Sequence, residues 1–554
     1  MTQRPPGSRL QIVALLGAAL FPSPVSGQAP VAAEAWTLPT DQPVEWLRFL
    51  PSHLLVVSHD GALLGLDPAN GSVRWRRDDL HNVSQAGFEA AQQAAPLPGA
   101  APTVASAAGS IIRLMEQLPG GRLISILADS AGRRSWFDVL DVETGTTVWS
   151  STSLPIADAR GFLAFPDSTT LLVHGSVIEP GRNRRVWLRV EAATGRVLWS
   201  TDSLTLQSPV QFDASTMVAS RGTINGNQPL VARPDSTVLL YASADGLVCF
   251  EIGSGRVRWR TPLTHPDVGP IGQGYAPMLV SGDTAYLPAT NFIEALDLAS
   301  GRHLWTSAGL STMTTQMAFT PQGLLVRGQP IQLAGQDPKV RHPFLGLLDP
   351  RTGKLAWKQE FKRGSGSTPF ALIDSAGYIA SDEGLYRFAP ADGKQVPLTT
   401  GKLPGRPVGL LEVRGDALLV TAAQSLTLVG LDGTLRYQTE FPAPTLGLAG
   451  RILRVALGAV FVAGGLYYSG GYLAGSAFAK YQVSTTRFSS SHTYFVMKDY
   501  QGQGPAIARV DKATGETDAV ILLGEDKTPA YAADQTAGIL LLLKTDRSLV
   551  AYQM

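Results

Sequence analysis

Leu296-Asp297-Leu298-Ala299-Ser300-Gly301-Arg302-His303-Leu304-Trp305 is the stretch that decides the fold, because the chain repeats it. The pattern is an apolar residue, an acid, two residues, a small polar residue, glycine, three residues and tryptophan. It returns as Leu66-Asp67 with Asn70-Gly71 and Trp75, as Leu140-Asp141 with Thr144-Gly145 and Trp149, and as Val190-Glu191 with Thr194-Gly195 and Trp199. Phe250-Glu251 with Ser254-Gly255 and Trp259, and Leu348-Asp349 with Thr352-Gly353 and Trp357, complete the strong copies. Weaker copies end at Gly393, at Gly433 with Tyr437 in the tryptophan place, and at Gly515. Successive turn glycines are never closer than 40 residues, the length of one four-stranded propeller blade.

Each part of the pattern has a physical reading. Acid, small polar residue and glycine make a short hairpin loop: the carboxylate accepts local backbone N–H groups, and glycine takes the left-handed conformation. The residues before the loop alternate or are wholly apolar, as in a strand buried between packed sheets; those after it alternate, as in Ser72-Val73-Arg74-Trp75. Upstream, Gly282-Asp283 separates two β-rich stretches, and Ile293 to Leu298 follows a further break. Four strands per unit result. Indoles in equivalent places read as packing devices between neighbouring blades, each N–H reaching a backbone acceptor. Ile539 to Leu543 and Leu549 to Tyr552 look like the second and third strands of a blade that lacks its outer strand. Ala35-Trp36-Thr37-Leu38-Pro39 looks like an outer strand that lacks a blade. The expectation is an all-β chain: a single closed β-propeller of four-stranded blades, eight to ten repeat units, its ring closed by an N-terminal strand.

Composition narrows the function. Of 554 residues, 44% are hydrophobic and 16% charged, which builds a core rather than a disordered chain. The 57 glycines and 38 prolines suit short strands and turns. A net charge of +1 lacks the basic excess of a nucleic-acid binder. The one cysteine, Cys249, reads as a small buried strand residue and leaves no internal disulfide. The eight histidines show no metal-ligand spacing. Gly364-Ser365-Gly366 and Gly502-Gln503-Gly504 lack the strand–helix setting of a phosphate loop. No residue is nominated as catalytic, cofactor-binding or metal-ligating, and no cofactor is expected. The nominated residues are those of the structural repeat: Trp75, Trp149, Trp199, Trp259, Trp305 and Trp357, with Gly71, Gly145, Gly195, Gly255, Gly301 and Gly353.

On these motifs the chain resembles the PQQ-like, tryptophan-docking β-propeller superfamily from about Trp36 to Met554. One branch of that superfamily is the quinoprotein alcohol and glucose dehydrogenases. They hold pyrroloquinoline quinone with calcium over the central channel, and often carry a disulfide of adjacent cysteines that a lone Cys249 excludes here. The other branch is non-catalytic and BamB-like, and the chain is more similar to it. The resemblance implies a non-enzymatic, protein-binding scaffold of the cell envelope, with envelope or outer-membrane proteins as partners. A quinoprotein-like redox enzyme, or a carbohydrate- or small-ligand-binding propeller, is the alternative.

The N-terminus reads as an export signal. Met1 to Arg9 is basic, Leu10 to Phe21 is apolar, and Val25-Ser26-Gly27 suits cleavage. Residues 1–27 are therefore expected to be a signal peptide and 28–554 the propeller, exported and periplasmic or outer-membrane associated. Two insertions interrupt the repeat. About 76–108 is rich in Ala, Gln and Pro and reads as a surface loop with a short helix, or as a binding element. About 445–482 contains 25 residues without a charge, Val455 to Ala479, enough to cross a bilayer but broken by glycines. It reads as apolar strands of a degenerate blade, as a membrane-contacting insertion through Leu453, Val460, Phe461, Leu466 and Tyr467, or as a helical insertion packed on the propeller.

Overall fold

The strands follow the repeat. The computed structural model describes residues 29–554 except 40–43, 50–54, 60–61, 80–110, 119–120, 129–134, 166–168, 180–181, 202–229, 234, 244–245, 263–277, 289–291, 308–309, 311–312, 330–341, 362–366, 400, 406–407, 443–486, 489–490, 525–528, 534–537 and 545–547. The described residues contain no α-helix and form ten four-stranded antiparallel sheets. Sheets one to nine are continuous in sequence: 44–77, 111–150, 158–201, 230–262, 279–306, 313–360, 371–397, 408–440 and 487–522. Sheet ten joins strands within 530–553 to the strand Glu34–Pro39.

Burial explains why the sequence alternates in some strands and not in others. Ala62–Leu66, Ala376–Ser381, Ala417–Ala422 and Ser425–Gly430 are buried at every position, so nothing in them needs to be solvated. The outermost strands, such as Val73–Arg77 and Val257–Pro262, bury the tryptophan and leave its flanking residues largely to solvent.

A second device recurs in the outer hairpin. In sheet one Gly65 faces Trp75 and Leu66 faces Val73, so Arg74 is an extra residue, a β-bulge. The same bulge falls on Val148, Leu198, Arg258, Leu304, Ala356, Arg436 and Asp518. A bulge bends the strand and re-aims the next side chain, here the aromatic four residues after the turn glycine in each of these sheets but the ninth, where it is Ala519. Sheet seven pairs Phe388 with Gln395 and Tyr386 with Pro397 without a bulge, and it has no tryptophan to aim.

Sheet ten repeats this geometry from two remote segments. Glu34–Pro39 pairs antiparallel with Ser548–Gln553; Trp36 faces Ala551, and a bulge falls at Ala35. The two ends expected to complete one another pair in one sheet, and the sheets number ten among the described residues.

The core is divided among the seams between sheets. Phe137, Trp149, Leu171 and Leu188 pack between sheets two and three. Tyr494, Ile507, Leu540 and Val550 pack between nine and ten. Leu64 and Leu66 of sheet one pack against Ile539, Leu541, Leu549 and Ala551 of sheet ten. Before entering sheet ten, residues 29–33 cross the edge of sheet nine. The Ala32 N–H donates to the Val520 carbonyl (2.7 Å), the Val520 N–H to Pro30 (3.0 Å), and the Tyr500 hydroxyl to Ala29 (3.1 Å). Arg76 and Arg77, assigned in sequence to the first insertion, continue the outer strand of sheet one.

Candidate functional site

Trp259 shows how a seam is made. The bulge at Arg258 turns it towards sheet five, where its indole N–H donates to the Leu298 carbonyl at 3.0 Å. Its ring lies on Gly301, where a Cβ would come within 2.5 Å of it. Gly301 also has φ +73°, so the position demands glycine for its conformation and for its contact. The other five predicted indoles do the same: Trp75 to Val142, Trp149 to Ala192 and Trp199 to Ile252 at 2.9 Å, Trp305 to Pro350 at 3.0 Å, and Trp357 to Pro390 at 2.9 Å. Two further aromatics complete the set. Trp36 donates to Pro68 at 2.7 Å across the junction of sheets ten and one, and the Tyr437 hydroxyl donates to Lys512 at 2.6 Å. All eight acceptors stand three residues before a turn glycine. Gly71, Gly145, Gly195, Gly255, Gly301 and Gly353 lie under Trp36, Trp75, Trp149, Trp199, Trp259 and Trp305 respectively.

Two junctions lack the aromatic. Between sheets seven and eight the Leu398 carbonyl takes the place over Gly433. In sheet nine the position holds Ala519, and the 29–33 segment lies over the neighbouring Val520.

The turn acids behave as their spacing implies. Asp67 Oδ1 accepts the Ala69 N–H at 2.9 Å, and Asp141 Oδ1 accepts those of Glu143 and Thr144 at 3.1 Å. Arginines hold several of them: Arg74 on Asp67 (2.9 Å), Arg122 on Asp141 (2.6 Å), and Arg256 on Glu251. The Arg256 and Ser254 hydrogen bonds bring the Glu251 carboxyl down to about 2.

Two cations are buried at seams. Arg327 of sheet six donates from Nη1 to Thr315 Oγ1 (2.9 Å) and from Nη2 to both the carbonyl and Oγ (3.2 Å) of Ser367. Among the described residues its partners are these uncharged groups, and burial pulls its guanidinium down to about 9. The Lys512 side chain, 2% exposed, reaches across from sheet nine to Glu412 Oε1 of sheet eight at 2.6 Å. Burial lowers its pKa, and the Glu412 contact opposes that.

One constellation escaped the sequence reading. His492, Asp511 and Asp518 lie on three successive strands of sheet nine, and their ligand atoms fall within 4.8 Å of one another. It is the one such group among the described residues. The spacing of 492, 511 and 518 gives no signal. The membrane-contact candidates Leu453, Val460, Phe461, Leu466 and Tyr467 lie outside the described residues, as do the leader 1–27 and most of 76–108.

The family described as outer membrane protein assembly factor BamB matches residues 182–342 and 341–479, together more than half of the chain. No curated protein matches it. Solved structures similar to the chain include BamB from Moraxella catarrhalis, at 13% identity and TM-score 0.35, over 73% of this chain and 98% of that one. Another is the quinohemoprotein alcohol dehydrogenase from Comamonas testosteroni, at 14% identity and TM-score 0.34, over 81% and 86%. A third is the computationally designed protein Ika8, at 14% and 0.33, over 74% and 98%. With its tryptophan-docking repeat and a match across 182–479, the chain belongs to the PQQ-like repeat family of the outer membrane protein assembly factor BamB.

Proposed function

We propose that the chain is an exported, non-enzymatic β-propeller that holds other proteins in the cell envelope, in the periplasm or at the outer membrane. The family match carries this reading, because BamB is described as an assembly factor of outer membrane proteins. The proposal includes one closed ring of ten blades. Its support is the Trp36–Pro68 hydrogen bond and the Leu64–Leu541 cluster, which join the last sheet to the first. Seams locked by docked aromatics make a rigid frame, and a rigid frame presents loops to partners with little ordering cost. Residues 1–27 would direct export, and 445–482 would touch the membrane.

The test is affinity capture of the tagged full-length protein from detergent-solubilised envelopes of its own host, read by mass spectrometry. Outer-membrane assembly proteins should co-purify, and should capture this chain in the reciprocal experiment. If neither happens, and the purified protein supplied with pyrroloquinoline quinone and calcium oxidises alcohols with a dye acceptor, the scaffold reading fails and the redox one replaces it.

A further inference from the structure

We propose that His492, Asp511 and Asp518 of sheet nine bind a divalent first-row transition-metal cation of the zinc class. The inference stands apart from the scaffold reading, since it needs only these side chains.

The three ligand atoms are aimed at one point by contacts on their far sides. His492 Nδ1 meets Ser491 Oγ at 2.7 Å, which leaves Nε2 facing the carboxylates. Asp518 Oδ1 accepts the Arg509 Nε–H at 2.7 Å, so Oδ2 turns inward. Asp511 Oδ1 accepts the turn N–H groups of Ala513 (2.7 Å) and Thr514 (2.9 Å), so its Oδ2 turns inward as well. Metal ligands are normally fixed by such outer contacts. From His492 Nε2, Asp518 Oδ2 is 2.9 Å away and Asp511 Oδ2 is 3.9 Å away. Ligands at about 2.1 Å from a tetrahedral ion stand about 3.4 Å apart, between these two values. The two carboxylates are held within 4.8 Å of each other, so side-chain shifts on the order of an ångström would complete the site.

Charge points the same way. In sheets one to four the turn acid is paired with an arginine. In sheet nine the bulge position that holds Arg74 in sheet one is Asp518, and among the described residues the ion-pair partner of Asp511 is His492 alone. Two carboxylates thus face one arginine and one imidazole. A nitrogen with two carboxylate oxygens suits zinc, cobalt or nickel better than calcium, which prefers six or more oxygens. The side chains are 20%, 32% and 34% exposed, so an ion can enter and the fourth position faces solvent. In the metal-free protein the Nε2–H donates to Asp518 Oδ2. An ion bound at Nε2 takes the place of this hydrogen bond, and the imidazole proton is then carried on Nδ1 towards Ser491 Oγ.

The test is calorimetric titration of untagged, EDTA-stripped full-length protein with zinc chloride and with calcium chloride. Zinc should bind at one site, and calcium should not compete. Arg509→Gln should weaken zinc about ten- to hundred-fold, as loss of an orienting contact does. His492→Ala should abolish this site. Asp518→Arg, which puts a cation where the second carboxylate stood, should also abolish binding. Absence of zinc binding in the unmodified protein, or binding unchanged in both His492→Ala and Asp518→Arg, overturns the proposal and leaves a hydrogen-bonded ion pair.

Discussion

Gly301 and Trp259 work as a pair: the glycine clears the space and the indole fills it. The energetics separate by substitution. Trp259→Ala removes the buried ring and leaves a cavity between sheets four and five, at a cost of about 3–5 kcal/mol. Trp259→Phe keeps most of the apolar contact and strands the Leu298 carbonyl, a smaller loss of about 1–3 kcal/mol. Urea unfolding followed by tryptophan fluorescence should rank the three proteins in that order, and equal losses would mean the hydrogen bond carries the seam. The turn acids add a pH dependence. The carboxyls of Asp67, Asp297, Asp349 and Glu251 all sit below their ordinary values, held by hydrogen bonds to arginine, serine or backbone groups. Folding therefore favours their charged forms. For Glu251 that contribution is whole above pH 4.5 and is lost as pH falls towards about 2. The urea midpoint should drop through this acid window, and Glu251→Gln should flatten the drop without moving the neutral value much.

At the scale of elements, what was legible in sequence was whatever repeats. The turn chemistry, the indoles and the fully apolar strands have a local cause that recurs, so each copy corroborates the others. The bulge was not legible, because Arg74, Val148 and Asp518 share a place in the hairpin and no chemistry. The His492 cluster was hidden because three strands bring together residues that are remote in sequence. Residues 29–33 were hidden for another reason: Ala29, Pro30 and Val31 have no strand pattern, and their order comes from Val520 and Tyr500. This segment lies beside Ala519, where the docking aromatic is missing, and it covers sheet nine in its place. Deleting 29–33 should speed amide exchange of Val520 and of the Thr517–Leu522 strand while leaving sheets four to six unchanged. Uniform acceleration would show instead that the segment supports the whole chain.

At the scale of the molecule, the uncharged run within 445–482 falls between sheets eight and nine. Both flanks belong to neighbouring sheets, so a membrane contact would have to leave and return on one side. Deletion of 448–482 should move the protein from the membrane to the soluble fraction in flotation assays; unchanged partitioning would assign the run to the propeller itself. The last consequence comes from the strand Glu34–Pro39. It meets its partner more than 500 residues later. Closing so long a free loop would cost about 5.5 kcal/mol of chain entropy, but stacking the intervening sheets in order brings the ends together first. The pairing of Trp36 with Ala551 is then expected after the intervening sheets have formed. A chain broken off during synthesis keeps an unpaired strand and an open sheet edge, a mark by which proteases can tell unfinished copies from finished ones.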